Sequence, residues 1–317
     1  MVTKLLTILT RTPLHVGAGA SVGAIDQPIQ RERHTGFPII PASALKGSFA
    51  DHWNSSLVSD DANTEPKKKP KLIRGQTDVA WLFGSDDAKA AFAGALLFSE
   101  ARLLAFPIRS ARGSFAWITS PLLLQRAARD GVFTKEAADQ IGRLKEPEDS
   151  EKQAYALFRQ EKLGLGEDKI VLEEYCLQFD KQAYPHVVAK ELATFVPDYK
   201  DAFSERLVIV PNGILSHFVT TACEIAQHVR ISDETGTAEK GGLFNQENVP
   251  ADTLFYSVLR ALDSRAPKES GGADKKASGA LVTFEEKAKA ADFFQFGGDA
   301  STGLGFCTVE IHDKQGA

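Results

Sequence analysis

The sequence lacks any apolar run that approaches the roughly 20 residues a membrane-spanning helix requires. Residues 1–12 alternate polar and apolar side chains, so they do not contain the apolar core of a signal peptide. These absences argue against a membrane protein and against a secreted one. We therefore expect a cytoplasmic protein with no membrane partner.

Cysteine is scarce as well. Cys176, Cys223 and Cys307 are the only three in the chain, and they lie far apart. An odd number at such distances argues against a disulfide framework and against a paired-cysteine zinc site. We expect all three to be buried thiols.

An excess of positive charge is also missing, because the formal net charge is -5. A nucleic acid would therefore have to be held by local basic patches and backbone donors rather than by the field of the whole protein. The hydrophobic content of 43% and the charged content of 25% are typical of a compact globular protein. The 317 residues allow two domains or one enlarged domain, and we predict a single elaborated module over residues 1–317 with no fixed-period repeat.

Hydrophobic periodicity and turn residues predict an α+β fold, in which strands and helices are interleaved. The predicted strands are Val2–Thr10, two segments within Gly94–Ile108, Phe115–Thr119, Leu207–Val210, Phe293–Phe296 and Phe306–Ile311, with a hairpin over 227–240 and a less regular segment at Asp252–Leu262. The predicted helices are Ala44–Leu57, Pro121–Arg129, Gly213–Ile225 capped by Asn212, Phe284–Ala291 and a helical insertion over 131–168. Trp81–Gly84 is predicted as an apolar turn and 267–278 as a polar linker.

Two glycine-rich loops lie near the two ends of the chain, at 17–23 and at Gly297–Gly305. The first does not match a dinucleotide-binding fingerprint, because its third glycine, Gly23, comes one position late and no helix follows directly. Glycines let a backbone approach a ligand closely, and a ribose-phosphate chain is one such ligand. Together the loops suggest one groove, although each is also compatible with a simple bend.

The long loop Thr12–Phe37, which contains the first glycine-rich loop, carries two residues with catalytic potential, Asp26 and His15. Pro28 favours an extended conformation at Gln27, so Asp26 is expected to be presented at the surface. A turn carboxylate that accepts hydrogen bonds from nearby amides is the alternative for Asp26. His15 taken alone is equally compatible with a structural histidine.

A polar run follows in which Gln30, Arg31 and Arg33 are candidates for contacts with phosphate. The planar guanidinium fork of arginine matches phosphate, which favours this interpretation. A solvated loop, or a salt bridge made by one of the arginines, is the alternative.

Ser43 is predicted to cap the next helix, which places Lys46 at the third helical position. A cation there opposes the helix dipole, and this suggests a compensating anion such as a backbone phosphate held by Lys46 and the amides after Ser43. Otherwise Lys46 points to solvent.

Two further basic segments are less specific. A loop insertion over 59–75 contains the tract Lys67–Lys71, which has no interleaved aromatic residue and is typical of a solvated loop as much as of a nucleic-acid contact. The hairpin offers Arg230 and Lys240 to a partner.

Several segments, taken in order, resemble one known family. They are 26–47 (DQPIQRERHTGFPIIPASALKG), Trp81–Gly84, Gly94–Pro107, Val229–Pro250 and Gly297–Gly305. They are similar to the repeated backbone subunit of type III-B CRISPR effectors, the Cmr complex, in the superfamily of repeat-associated mysterious proteins (RAMP). The resemblance covers nearly the whole chain and is weakest over 131–168.

The resemblance implies a ferredoxin-like core similar to an RNA-recognition motif, with a protruding thumb hairpin over 225–250. It further implies copies stacked head-to-tail into a helical filament on a guide RNA, alongside other subunits of the effector. The complementary target RNA would be cut at regular intervals where the thumb interrupts the duplex.

The same resemblance assigns roles to residues. It places the RNA-cutting aspartate at Asp26, a loop histidine at His15, a guide-RNA contact at Lys46 and an accessory acid at Glu247. The complete set predicted to bind RNA is Gln30, Arg31, Arg33, Ser43, Lys46, Gly297, Gly298 and Thr302.

An unaided aspartate is a weak general base at neutral pH, so we expect Asp26 to hold Mg²⁺ or another divalent cation, or to orient the nucleophile. The attacking group would be the 2′-hydroxyl of the target itself. Three functions compete: an RNA-guided endoribonuclease subunit, a non-catalytic guide-RNA scaffold, and a stand-alone ribonuclease that processes guide RNA.

Overall fold

The computed structural model describes residues 2–19, 23–52, 58–59, 72–73, 78–85, 91–150, 153–166, 168–268 and 274–315. Within these residues the strands, in chain order, are β1 (Val2–Thr10), β2 (Ile39–Ile40), β3 (Val58–Ser59), β4 (Leu72–Ile73), β5 (Gly84–Ser85), β6 (Phe92–Ala93), β7 (Leu96–Phe98), β8 (Ala101–Ser110), β9 (Ser114–Thr119), β10 (Tyr155–Ala156), β11 (Lys169–Leu172), β12 (Tyr175–Phe179), β13 (Leu207–Ile209), β14 (Glu224–Ile231), β15 (Ala238–Asn248), β16 (Leu254–Ala261), β17 (Phe294–Gln295) and β18 (Phe306–Asp313).

The α-helices of the described residues are α1 (Ala42–His52), α2 (Asp78–Phe83), α3 (Pro121–Arg129), α4 (Lys135–Arg143), α5 (Gln160–Leu163), α6 (His186–Thr194), α7 (Lys200–Arg206), α8 (Asn212–Thr221) and α9 (Ala277–Lys289). Short 3-10 helices occupy Pro197–Tyr199 and Ala300–Thr302. None of the helices in the described ranges is long and apolar enough to cross a membrane.

One large mixed sheet organises the fold, with the strand order β10-β12-β11-β8-β16-β1-β18-β17. β1 lies near its centre and pairs antiparallel with both β16 and β18. Successive side chains of a strand point to opposite faces, so Leu6 and Ile8 enter one hydrophobic core while Leu5 and Leu9 enter a second. A sheet covered on both faces, with helices packed on it, confirms the predicted α+β class, and the ferredoxin-like core stays a prediction.

Aromatic packing fixes helix α1 against the first core. Leu45 and Phe49 are four residues apart, lie on one face of the helix and are fully buried. The ring of Phe49 contacts Phe294 with centroids 4.9 Å apart and Phe296 with centroids 5.4 Å apart. Because Phe294 and Phe296 lead directly into the second glycine-rich loop, this packing anchors that loop to α1.

The start of α1 differs from the prediction. The helix begins at Ala42, and the amide of Leu45 already donates to the carbonyl of Pro41 at 3.1 Å. Ser43 therefore lies inside the first turn, and the prediction that it is the N-cap was wrong. Lys46 is the fifth helical residue instead of the third. The described part of the helix ends at His52.

Other predictions have mixed outcomes. β1 and α3 have the predicted bounds, while α9 begins at Ala277, inside the segment predicted as a linker. Cys176 is exposed, so the expectation of three buried thiols was wrong, although Cys223 and Cys307 are buried. Segment 131–168 contains α4, α5 and β10, and because β10 pairs with β12 it joins the sheet. The tract Lys67–Lys71 lies outside the described residues.

The predicted hairpin is present. β14 and β15 form their own two-stranded antiparallel sheet, with Glu224 opposite Asn248 at the base. Its apolar side chains are exposed, and Leu243 reaches 68% exposure. The hairpin therefore projects from the body, and we call it the thumb hairpin below.

Candidate nucleic-acid interface

The residues that lead into the first glycine-rich loop lie beside the second loop. The amide of Gly298 donates to the carbonyl of His15 at 2.9 Å, and the amide of Gly305 donates to that of Pro13 at 2.8 Å. Leu14 bridges to Val249 at the base of the thumb hairpin. The antiparallel pairing of β1 with β18 brings these segments together, although they are almost 300 residues apart in sequence.

Gly297 is required by this contact. Its φ of +79° lies in the left-handed region, and a Cβ at this position would lie 2.0 Å from the carbonyl oxygen of His15. A side chain would therefore separate the two loops. The glycine allows one backbone to pack directly on the other.

His15 is buried and held in one orientation. Its Nδ1 lies 2.7 Å from the carbonyl oxygen of Glu247, and the residue is 7% exposed. A carbonyl can only accept, so Nδ1 donates this hydrogen bond, which leaves Nε2 as the ring nitrogen that faces a ligand. Nε2 has no hydrogen-bond partner among the described residues, and a Cβ on Gly17 would lie only 3.0 Å from it. A glycine at position 17 thus keeps the space beside Nε2 open.

Glu247 joins the loop to the thumb hairpin. Its carboxylate, in a residue 3% exposed, accepts from the Arg31 guanidinium at 2.6 Å and from the amide of Ile29 at 3.0 Å. Its own amide donates to the carbonyl of Gln27 at 2.9 Å. Both carboxylate oxygens are therefore engaged inside the protein, a geometry that favours a positioning role over contact with a substrate.

Arg31 is fixed by protein acceptors. Besides Glu247 it donates to the carbonyls of Gly36 at 2.7 Å and Val219 at 2.8 Å, and to the sulfur of Cys223 at 3.3 Å. These bonds engage both terminal nitrogens of the guanidinium, so the geometry supports the salt-bridge alternative for Arg31 over an RNA contact. Burial raises the pKa of the Cys223 thiol to about 11, which keeps it neutral beside this ion pair.

Asp26 lies at the surface, as the sequence predicted. Its amide donates to the side-chain oxygen of Asn245 at 2.8 Å, and the Asn245 amide donates to Asp26 Oδ2 at 2.9 Å. This reciprocal pair ties the loop to the thumb hairpin. The second carboxylate oxygen of Asp26 has no partner among the described residues, so the acid is positioned yet open to a ligand.

The remaining predicted residues divide into two groups. Gln30 donates to the carbonyl of Gly17 at 3.2 Å, and Thr302 donates to that of Asp299 at 2.9 Å, so both belong to the joined loops. Ser43 and Lys46 lie exposed on α1, and Arg33 is exposed at the end of the polar run. In the described part of the chain these three side chains make no hydrogen bond or ion pair with the joined loops.

Of the polar run at the end of β15, sequence reasoning named only Glu247 and missed its two neighbours. Gln246, Glu247 and Asn248 are all buried, and Gln246 donates to the carboxylate of Asp299 at 2.6 Å. Three consecutive polar residues that end a strand do not fit the alternation of a half-exposed strand. That departure was a usable signal, because buried polar groups require partners, and those of Gln246 and Glu247 come from the loops. The buried side-chain oxygen of Asn248 has no partner among the described residues.

The acids of this surface are few. The described residues contain no group of three or more histidine, cysteine or acidic side chains arranged to hold a metal. Asp26 offers one free carboxylate oxygen, while Glu247 is committed to Arg31. Mg²⁺ is commonly held by one or two carboxylates together with substrate phosphates and water, so Asp26 fits a cation shared with RNA rather than a closed protein site.

Comparison with known proteins gives a family and a fold. The family model described as the RAMP superfamily matches residues 7–308. The CRISPR system Cmr endoribonuclease Cmr4 of Pyrococcus furiosus is 32% identical over 317 residues, covering 98% of this chain and 95% of that protein. The CRISPR system Cms endoribonuclease Csm3 of Streptococcus thermophilus is 35% identical over 100 residues, covering 30% of this chain and 42% of that protein.

Solved structures share the fold at lower identity. The crystal structure of oligomeric Cmr4 from Pyrococcus furiosus has a TM-score of 0.63 at 23% identity and covers 100% of both chains. A chain in the cryo-EM structure of the type III-B Cmr-beta complex bound to cognate target RNA has a TM-score of 0.69 at 20% identity, covering 98% of this chain and 97% of that one.

Proposed function

This chain belongs to the RAMP superfamily, and on that premise we propose that it is a guide-RNA-binding backbone subunit of a type III-B CRISPR effector that cleaves complementary target RNA. The observation that carries the proposal is the exposed carboxylate of Asp26, held by Asn245 at the base of a projecting hairpin. The relative from Pyrococcus furiosus, which matches almost end to end, is named an endoribonuclease. The proposed partners are a guide RNA, a target RNA, further copies of the chain stacked head-to-tail and the other subunits of the effector.

In this proposal the protein reads the backbone and shape of the RNA, while base pairing reads the sequence. The glycines of the two loops, Gly297 and Gly298 among them, allow close approach of a ribose-phosphate chain. Lys46, Arg33, Ser43 and Thr302 are exposed polar residues available to it. Binding through phosphates should weaken steeply as salt rises.

The proposed reaction uses the 2′-hydroxyl of the target. Its oxygen forms a bond to the adjacent phosphorus while the bond from phosphorus to the 5′-oxygen breaks, leaving a 2′,3′-cyclic phosphate and a 5′-hydroxyl. The proton of the 2′-hydroxyl is lost and the leaving oxygen gains one. The thumb hairpin would align the attack by displacing a nucleotide from the duplex.

Asp26 and His15 take separate roles in this step. Asp26 orients the nucleophile or contributes one ligand to Mg²⁺ or another divalent cation, which would stabilise the charge that develops on the phosphate. His15 Nε2 can form a hydrogen bond with a ribose hydroxyl, since Nδ1 is committed to Glu247. Glu247 acts through these residues, because it holds the segments that carry them.

The decisive test is Asp26→Asn in the assembled effector. Asparagine retains an oxygen that can accept from the Asn245 amide, so the loop should keep its conformation. Target cleavage should fall by at least about 10²-fold, the lower end of what a positioned acid–base group contributes. Guide assembly should stay unchanged, measured by the amount of guide RNA that copurifies.

Asp201→Asn is the matched control, because Asp201 is an exposed aspartate on α7, remote in sequence from both loops. It should leave both cleavage and assembly intact. Undiminished cleavage by Asp26→Asn would refute the nuclease role and leave a guide-RNA scaffold.

A further inference from the structure

A cavity of about 460 Å³ opens beside the polar run that follows Asp26. Its lining comes from the loop, from β2, from the start of β8 and from the end of α3, and consists of Arg31, Glu32, Arg33, His34, Ile39, Glu100, Arg102, Arg126 and Arg129. Five of these residues are arginines and two are glutamates, so the lining carries an excess of positive charge although the whole chain is acidic. Such a local excess attracts an anion.

Three of the arginines are held in place by ion pairs and form part of the cavity lining. Arg31 is held by Glu247, Arg126 donates to Glu32 at 2.9 Å, and Arg102 donates to Glu100 at 3.0 Å. The ion pair between Arg126 and Glu32 joins α3 to the loop. Burial raises the pKa of Glu32, but hydrogen bonds from Thr35 and Arg126 outweigh that effect and hold it below its ordinary value. Glu32 therefore stays ionised at neutral pH, and its ion pair with Arg126 is retained.

The other two arginines are available. Arg33 is exposed and makes no hydrogen bond or ion pair with any described residue. The side chain of Arg129 is 66% exposed, and it has only a 3.2 Å contact with its neighbour Asp130. Asp130 also accepts from Arg102 and from the hydroxyl of Tyr256, so its charge is shared among several donors. At the rim of the cavity, Arg33 thus has no partner among the described residues, and Arg129 has only Asp130, which it shares with Arg102 and Tyr256.

We propose that this arginine cavity binds a phosphate group of the RNA strand that passes Asp26, with Arg33 and Arg129 as the contacting residues. The proposal rests on the proposed function in taking RNA as the ligand. Paired guanidinium forks match the oxygens of phosphate, and the ion-paired arginines behind them keep the lining in place. Arg102, Arg126 and Arg129 come from β8 and α3, so the site extends the RNA-binding surface beyond the two glycine-rich loops.

The position of the cavity is consistent with its ligand being the same RNA strand that passes Asp26. Seven residues separate Asp26 from Arg33, which limits their distance to about 25 Å in an extended chain. A duplex strand rises ~3.4 Å per nucleotide, so that limit corresponds to roughly seven nucleotides. One short oligonucleotide can therefore contact both the acid and the cavity.

The test is the double variant Arg33→Ala/Arg129→Ala, in the full-length chain, with a fluorescent single-stranded oligoribonucleotide as the probe. Its Kd should rise about tenfold at low salt. The dependence of log affinity on log salt should become shallower by up to about 1.4, because each lost phosphate contact removes ~0.7 for a single strand.

The matched control is Arg109→Ala/Arg143→Ala. Arg109 is an exposed arginine on β8, with a side chain 85% exposed, and Arg143 lies in the last turn of α4 as Arg129 does in α3. The control should bind the oligonucleotide like the wild type. Equal loss in both variants, or no loss in either, would overturn the proposal.

Two further measurements distinguish RNA from other ligands of the cavity and the cavity proposal from the proposed function. An oligoglutamate of equal charge that binds more tightly than RNA, and loses its binding in the cavity variant, would indicate an acidic protein partner and contradict the proposal. Asp201→Asn, at an exposed position of α7 outside the proposed interface, should bind the oligonucleotide normally. If the wild type binds RNA and the cavity variant binds it equally well, only the cavity proposal fails, whereas a wild type that binds no RNA contradicts the proposed function itself.

Discussion

Asp26 and Glu247 belong to two parts of one surface that burial separates. The base consists of the buried His15 and Glu247 and the partly buried Arg31, which are joined by hydrogen bonds to one another and to the backbone. The exposed rim consists of Asp26, Arg33 and Lys46. Both parts include residues of the same loop, so position in the loop does not decide their roles. The residues of the base fix the position of the rim residues, and the rim residues contact the ligand.

The largest effect that distinguishes the two parts is expected for Glu247→Ala. Removing this acid leaves the partly buried Arg31 without its counter-charge, so we expect a loss of about 3 kcal/mol in unfolding free energy, the lower end of the range for breaking a buried ion pair. Urea denaturation of the purified chain measures it. Glu239→Ala, at an exposed position of the thumb hairpin, should change the free energy by less than about 0.5 kcal/mol. Similar values for both would show that the base is not a structural unit.

Substitutions at two glycines, Gly297 and Gly47, should have effects of intermediate size on stability. Gly297→Ala places a Cβ against the carbonyl oxygen of His15 and strains a positive φ, so we expect a loss of about 1–3 kcal/mol in unfolding free energy. Gly47→Ala is the control, because a Cβ on this exposed helical glycine meets nothing within 4 Å. It should stabilise α1 by up to about 1 kcal/mol. Thermal unfolding of both variants shows whether each substitution raises or lowers the stability of the protein. A Gly297→Ala variant as stable as the wild type would contradict the described packing of the loops.

The smallest effect is expected for Lys46→Ala at the rim. Its side chain is exposed, so stability should stay within about 0.5 kcal/mol of the wild type. The salt dependence of RNA affinity should become shallower by ~0.7, which corresponds to one phosphate contact on a single strand. Lys190→Ala, exposed on α6, serves as the control. An unchanged salt dependence would remove Lys46 from the proposed interface.

The sequence predicted features that depend on local chemistry. Alternation identified β1, and turn residues identified the thumb hairpin. The exposure of Asp26 followed from the extended conformation that Pro28 favours. The two glycine-rich loops were expected to share a groove, and the pairing of β1 with β18 brings the residues that lead into the first loop beside the second.

Features that depend on long-range partners were not predictable in the same way. Arg31 resembled a phosphate ligand because its acceptors, Val219, Cys223 and Glu247, are about 190 to 220 residues away in sequence. Ser43 had the chemistry of an N-cap, but the helix starts earlier because Pro41 provides the first acceptor carbonyl. The arginine cavity combines four segments, and no single one of them is distinctive alone.

The most direct test of the central claim uses the assembled effector and a target RNA with one 2′-deoxynucleotide at a single cleavage position. If Asp26 acts on a linkage whose own 2′-hydroxyl is the nucleophile, cleavage should disappear at that position and continue at the others. Undiminished cleavage at the modified position would contradict the account.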